Sequence, residues 1–317
     1  MANRRVALVG CGMVGMSYAY ALLNSDLCNE LILIDINEEK ALGEAMDLNH
    51  GLCFSSSHMK IRAGSFEDCQ YADLVVITAS AGSRKPGQTR LDLLQKNVGV
   101  FKSFISKIVA SGFNGIFLVA SNPVDVMTRL TYELSGFPAN RVIGSGTTLD
   151  TARLRYLIGD YFQADPHSVH GYVIGEHGDS EFVPFSQLNL STKNVEEFFS
   201  DERFKDEYKR EDIEQIIEKV KTSGAEVIKL KGATYYGIGM SLVRITKAIF
   251  GDENSVITVS SRLNGEYGMR DVYLGLPAYI NRNGLRKILP LNLRDEEIEK
   301  LRNSYNILKE SYESLNL

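Results

Sequence analysis

RVALVGCGMVG, residues 5–15, is an aliphatic run that breaks into a glycine-rich turn and continues into a helix-forming stretch. Val6 to Val9 carry no polar residue, which is how a strand covered on both faces of a parallel sheet reads. Gly10, Gly12 and Gly15 follow in the spacing G-x-G-x-x-G, with Cys11, Met13 and Val14 between them. Turn glycines alone are common, so the strand before them and the helix after them carry the inference. Gly10 permits the tight turn, Gly12 lets backbone approach a pyrophosphate, and Gly15 lets the helix pack against the strand. Backbone N–H groups and the helix dipole of Met13, Val14 and the residues after them then face the anion. Asp35 closes the next apolar run, where a carboxylate accepts hydrogen bonds from ribose hydroxyls and repels a 2′-phosphate. Ile36 and Asn37 follow, with no arginine to receive that phosphate, so NAD is expected rather than NADP.

Working outward, apolar runs at 31–34, 74–77, 116–119 and 142–143 alternate with helical stretches at 13–25, 38–49 and 91–111. Strand–helix alternation predicts an α/β fold, a Rossmann-type doubly wound parallel sheet. Past Gly146 the pattern changes to a helix from Asp150, strand and turn signals over 168–190, an acidic helix over 212–227 and a helix over 235–250. Strands at 256–263 and 271–280 and a closing helix at 295–314 complete an α+β half. The expected organisation is an NAD-binding domain over 1–144 and a catalytic α+β domain over 145–317.

A chain of 317 residues is long enough for two domains, and 44% apolar with 24% charged residues is the balance of a folded globular protein. No stretch reaches the length of a bilayer span and no signal-type apolar segment leads the chain, so the cytoplasm is the expected location. Cys11, Cys28, Cys53 and Cys69 form no CxxC pair, which suits free thiols; no metal site is expected. A net charge of −5 without a basic run argues against nucleic acid as a partner.

His177 sits between glycines in Gly175-Glu176-His177-Gly178-Asp179-Ser180, after an apolar run. A loop histidine is most often a local hydrogen-bonding group. Reduction of a carbonyl, however, needs a proton donor, a cation to polarise the carbonyl and an anchor for a substrate carboxylate, and Arg and Asp residues stand nearby in the sequence.

Three further stretches resemble the lactate/malate dehydrogenase family: Ser121-Asn122-Pro123-Val124-Asp125, the run from Gly144 to Arg155 (GSGTTLDTARLR), and the His177 motif. Lys231 to Gly239 (KGATYYGIG) extends the likeness into the last third and looks like the bacterial lactate enzymes. The resemblance implies hydride transfer between NADH and a small 2-oxo acid, with a place in glycolytic fermentation. It implies His177 as the acid/base and Asp150 as the group that orients it. Arg153 would grip the substrate carboxylate bidentately. Arg90 would polarise the carbonyl, and Asn122 would lie near the nicotinamide and the substrate oxygen. Residues 80–88 look like the family's closing loop.

The signals for the substrate conflict. In the resembled malate enzymes an arginine precedes Lys-Pro-Gly in that loop and pairs with a second carboxylate, and this chain has Arg84 there, whereas the lactate enzymes place a glutamine. The segment 78–85 is also one residue longer than the pattern, which leaves the register of Arg84 open. Thr234 stands where malate enzymes carry a small alanine. A buried arginine facing a methyl group would be desolvated without a partner, so pyruvate is the preferred substrate, with Arg84 turned to solvent. Oxaloacetate is the alternative, and bulkier 2-oxo acids a third.

Arg155 and His170 match positions that help bind fructose 1,6-bisphosphate between subunits in the resembled bacterial enzymes, implying a possible effector and a homotetramer. Two rivals belong to other classes. A glycosidase with a nicotinamide domain would need metal-binding cysteine and histidine in the second half, and no cysteine follows Cys69. A non-catalytic NAD-sensing protein would have no need of His177, Asp150, Arg153 and Arg90 together.

Overall fold

The protein is represented by a computed structural model that describes residues 4–82 and 90–315, apart from the side chains of Arg90 and Leu91. Arg84, the side chain of Arg90 and most of the 80–88 stretch therefore lie outside the described residues. The first half runs β1 (Arg5–Val9), α1 (Met13–Leu23), β2 (Glu30–Ile34), α2 (Glu38–Gly51), β3 (Lys60–Ala63), β4 (Leu74–Ile77), α3 (Arg90–Ala110), β5 (Ile116–Val119), α4 (Val124–Ser135) and β6 (Val142–Gly144). The six strands lie in the order β3-β2-β1-β4-β5-β6, and every pairing among them is parallel. This is the doubly wound sheet expected from the alternation, with β1 at the point where the strand order reverses.

The second half runs α5 (Thr148–Tyr161), β7 (Val169–His170), β8 (Asn189–Leu190), β9 (Lys193–Asn194), α6 (Val195–Ser200), α7 (Arg210–Lys231), α8 (Tyr236–Phe250), β10 (Ser255–Asn264), β11 (Arg270–Asn281), β12 (Gly284–Ile288) and α9 (Asp295–Glu313). Strands β7 to β9 make a small separate sheet. The antiparallel strands β10 to β12 instead extend the first-half sheet to nine strands, joining it where Ser260 pairs with Gly144. Gly144 permits that approach: a Cβ there would stand 2.3 Å from Thr128 Oγ1 and 2.7 Å from Ser260 Cβ.

Two apolar clusters form the core, and the larger is shared by both halves. The larger spans the long sheet, with Leu8, Ile32, Val76, Phe117 and Leu274 fully buried. The smaller joins α5, α7 and the small sheet through Leu154, Ile158, Leu188 and Ile213. Each such side chain stabilises the fold by roughly 1.5–3 kcal/mol relative to an exposed one. Helix α8 lies directly on α1, so close that a Cβ at Gly239 would sit 2.6 Å from Ser17 Oγ. The helix that begins at the glycine-rich turn is thereby braced by the second half.

Candidate active site

The glycine-rich turn fits a dinucleotide on geometric grounds. Gly10 has φ +103°, and a Cβ there would lie 2.6 Å from the Ala79 backbone nitrogen. A Cβ at Gly15 would fall 2.1 Å from the Gly10 carbonyl oxygen, so the helix can leave the strand this tightly only without a side chain. Gly12 differs, since a Cβ there meets nothing within 4 Å. Protein packing does not require glycine at position 12, and the open space above it is where a pyrophosphate would lie. Met13, the first residue of α1, is 65% exposed, and Val14 beside it is half-buried. Asp35 accepts the Cys11 N–H at 2.7 Å through Oδ2 and the Asn37 N–H at 2.9 Å through Oδ1. The carboxylate thus also pins the glycine-rich turn to the end of β2, a structural task that its expected ribose contact did not suggest.

The second constellation is assembled by α5, α4 and the loop around His177. Asp150, in the first turn of α5, has a side chain only 2% exposed. Its Oδ2 lies 2.7 Å from His177 Nδ1, and its Oδ1 accepts from Arg153 at 2.8 Å. A carboxylate only accepts, so Nδ1 carries the proton and Nε2 is the nitrogen free to exchange one with a ligand. Arg153, one helical turn after Asp150, is thereby held on the same helix face as the group that holds the imidazole.

The His177 backbone is fixed as well. Its N–H donates to Asp125 Oδ2 at 2.8 Å, and Asp125 Oδ1 accepts from Ser260 Oγ at 2.5 Å. Two residues earlier Gly175, at φ +99°, exchanges backbone hydrogen bonds of 2.9 and 2.8 Å with Gly275 of β11. The loop is therefore clamped from α4 on one side and from β11 on the other. Sequence reading quoted Asp125 within a motif but gave it no task, because its partner stands 52 residues away.

Electrostatics follow this geometry. Burial disfavours the charged imidazole, but the Asp150 carboxylate, its hydrogen bond, Glu181 and Asp125 outweigh it and bring His177 up to about 9. Burial also works against an ionised Asp150, yet the His177 and Arg153 charges hold it below the usual carboxylate range. Asp125, fully buried, is pushed up to about 6. The cluster therefore presents an imidazolium at neutral pH beside a guanidinium, an arrangement able to protonate an oxygen and hold an anion.

The remaining expected residues are more scattered. Asn122 is exposed at the end of β5, and its carbonyl accepts from Asn97 Nδ2 at 2.8 Å. Thr234 is half-buried just before α8, close to the start of α5, where a Cβ at Gly237 would meet Leu149 Cδ1 at 2.8 Å. Arg155, on the same helix as Arg153, donates to the Gly171 carbonyl at 3.4 Å, next to the exposed His170.

Comparison with known proteins places this arrangement. Residues 4–144 match the lactate/malate dehydrogenase NAD binding domain, and residues 147–316 match the lactate/malate dehydrogenase alpha/beta C-terminal domain. The chain is 52% identical over 307 residues to L-lactate dehydrogenase 2 of Bacillus cereus, covering 97% of this chain and 96% of that protein. It is 50% identical over 306 residues to the L-lactate dehydrogenase of Bacillus pumilus, covering 96% of each. The crystal structure of the minor L-lactate dehydrogenase from Enterococcus mundtii in its ligands-bound form superposes with a TM-score of 0.96 at 44% identity, over 99% of both chains. MGS-M5, a lactate dehydrogenase from a Medee basin deep-sea metagenome library, gives 0.96 at 49% identity over the whole of both chains. With both halves matched and the relatives aligned nearly end to end, the chain belongs to the lactate/malate dehydrogenase family, with NAD as its cofactor.

Proposed function

We propose that this chain is an NAD-dependent L-lactate dehydrogenase that interconverts pyruvate and L-lactate. One observation carries the chemistry: a single buried carboxylate, Asp150, holds both the imidazole of His177 and the guanidinium of Arg153. The relatives at 52% and 50% identity are both L-lactate dehydrogenases, which favours pyruvate over oxaloacetate. The bound nicotinamide supplies or accepts the hydride. Arg153 pairs with the substrate carboxylate through its free edge, turning the 2-oxo group toward His177. His177 then gives its Nε2 proton to the oxygen that becomes the hydroxyl, and Asp150 stabilises the charged ring before the transfer and keeps its orientation after it. Oxidation runs the same proton back, starting from neutral His177.

Arg90, at the start of α3, is assigned to the substrate carbonyl oxygen, Asn122 to the nicotinamide side and Thr234 to the substrate side chain. Arg84 is the residue through which oxaloacetate would be favoured instead. Gly10, Gly12, Met13, Val14, Gly15 and Asp35 are assigned to the dinucleotide, and the two domains are taken to divide between residues 144 and 145. Replacing His177 with Asn tests the assignment: turnover should fall by about 10²–10⁴ with NADH binding retained. Turnover close to wild type would refute it.

Assembly and regulation extend the same reading. Tyr20 on α1, Met46 on α2 and Tyr236 and Met240 on α8 are large apolar side chains each more than half exposed, which supports self-association into a homotetramer. Arg155 is half-buried, and burial together with Arg244 lowers its pKa, so a polyanion such as fructose 1,6-bisphosphate would relieve the charge there. A pyruvate saturation curve unchanged by that compound at neutral pH would count against the effector. Four free cysteines support a reducing compartment, the cytoplasm, and no helix among the described residues is long and apolar enough to cross a membrane.

A further inference from the structure

The chemistry above leaves one member of the buried cluster without a task. Glu181 stands four residues after His177 and is 4% exposed. No hydrogen bond reaches its carboxyl among the described residues; His177 Nδ1 lies 3.9 Å from its Oε2, beyond hydrogen-bonding range. One nitrogen or oxygen from each of Asp150, His177 and Glu181 lies within 4.8 Å of the others. An ionised carboxyl in such a place is disfavoured, and burial followed by the Asp150 charge brings Glu181 up to about 8, against the opposing pull of His177, Arg153 and Lys221. Glu181 is also among the residues lining a cavity of about 680 Å³ against α7 and α9, together with Phe182, Ile217, Lys221 and Glu297.

We propose that Glu181 is a positioning residue of the reaction, whose charge sets how tightly His177 holds the proton that it gives to the substrate. The carboxylates acting on the imidazole are Asp150 from α5, Asp125 from α4 and Glu181 itself; Arg153 from α5 and Lys221 from α7 act on Glu181, and Glu176 acts on Asp125. Arg153 already pairs with Asp150, so a second carboxylate has strong leverage on the ring. With Glu181 neutral, the imidazolium is the stronger acid. Once Glu181 ionises, the ring keeps its proton to higher pH, and the two groups titrate as a coupled pair. Reduction, which requires the charged ring, is thereby extended into the alkaline range.

The inference rests on His177 as the acid/base, and its test separates the two. The His177 ring is titrated by NMR in the full-length protein, its resonance identified by its loss in His177→Asn, alongside pH profiles of kcat/KM for pyruvate reduction. In the wild type the His177 titration should show two inflections. In Glu181→Gln it should become a single step moved to lower pH by about 1 unit. The alkaline limb of kcat/KM should move with it, and Glu181→Asp should restore much of it. A residue that only packs would change kcat or KM without moving that limb. A single-step wild-type titration that coincides with that of Glu181→Gln would overturn the inference. A shifted ring titration in a protein that does not reduce pyruvate would leave it standing and refute the substrate reading instead.

Discussion

Replacing Asp150 with Asn removes a charge while keeping the shape that cradles His177. The carboxylate is the largest influence raising the imidazole from its ordinary 6.5 to about 9, against the burial that opposes it. That rise corresponds to about 3 kcal/mol favouring the charged ring. Without the carboxylate, burial is left facing only Glu181 and Asp125, and the ring should titrate near or below its ordinary value. At a pH of about 7.5 the imidazolium fraction then drops from nearly all to roughly a tenth, and pyruvate reduction slows about tenfold through charge alone. Looser orientation of the ring slows it by about a further tenfold. The sign is fixed by the chemistry: reduction uses the charged ring, present below its pKa and lost above it. Acidification to a pH of about 5.5 should therefore recover the charge part and leave the losses that do not depend on pH. Arg153 loses its Asp150 partner in the same variant, which raises the KM for pyruvate at every pH and moves no limb. The assay is the pH profile of kcat/KM for NADH oxidation with pyruvate. An alkaline limb that stays near 9 in Asp150→Asn would refute the assignment of Asp150 as the group charging His177.

Other perturbations separate the remaining elements. Gly12→Ala should leave thermal stability within about 0.5 kcal/mol of wild type, since its Cβ meets no protein atom, yet weaken NADH about tenfold or more in a fluorescence titration. Gly15→Ala places a Cβ 2.1 Å from the Gly10 carbonyl and should damage both folding and binding, seen as a lowered Tm beside a raised Kd. Arg153→Lys should raise the KM for pyruvate by about 10- to 100-fold, because a point charge cannot make two parallel hydrogen bonds to the carboxylate. Asp125→Ala leaves the His177 N–H and the Ser260 hydroxyl without their acceptor and should cost about 2–4 kcal/mol in denaturant unfolding. Unchanged stability would refute Asp125 as the clamp of the loop.

Where the sequence was legible, one periodicity or one chemical need dominated. The four-residue apolar runs of β4 and β5 are buried throughout, so nothing competed with a reading as inner strands. Strand β3 went unread because Lys60-Ile61-Arg62-Ala63 lies at the sheet edge and buries only Ile61 fully. Helix α4 went unread for another reason: four of its eight buried residues, Asp125, Thr128, Thr131 and Ser135, are polar, so no continuous apolar run marks it. The continuation of the parallel sheet into β10 depends on Gly144 meeting Ser260, a long-range contact that no local pattern announces. In the site, the glycine-flanked His177 stood out in the sequence as a candidate, while its role and those of Asp150 and Arg153 came from the resemblance to the lactate/malate dehydrogenase family. Asp125 and Glu181 were not legible, since their importance comes from burial and from partners brought close only by the fold.

The most direct test of the account is kcat/KM for NADH oxidation by the purified protein with pyruvate and, separately, with oxaloacetate, with the chirality of the product determined. The account predicts a clear preference for pyruvate and formation of L-lactate. A strong preference for oxaloacetate would contradict it, showing that a second substrate carboxylate meets a cation, with Arg84 the first residue to replace.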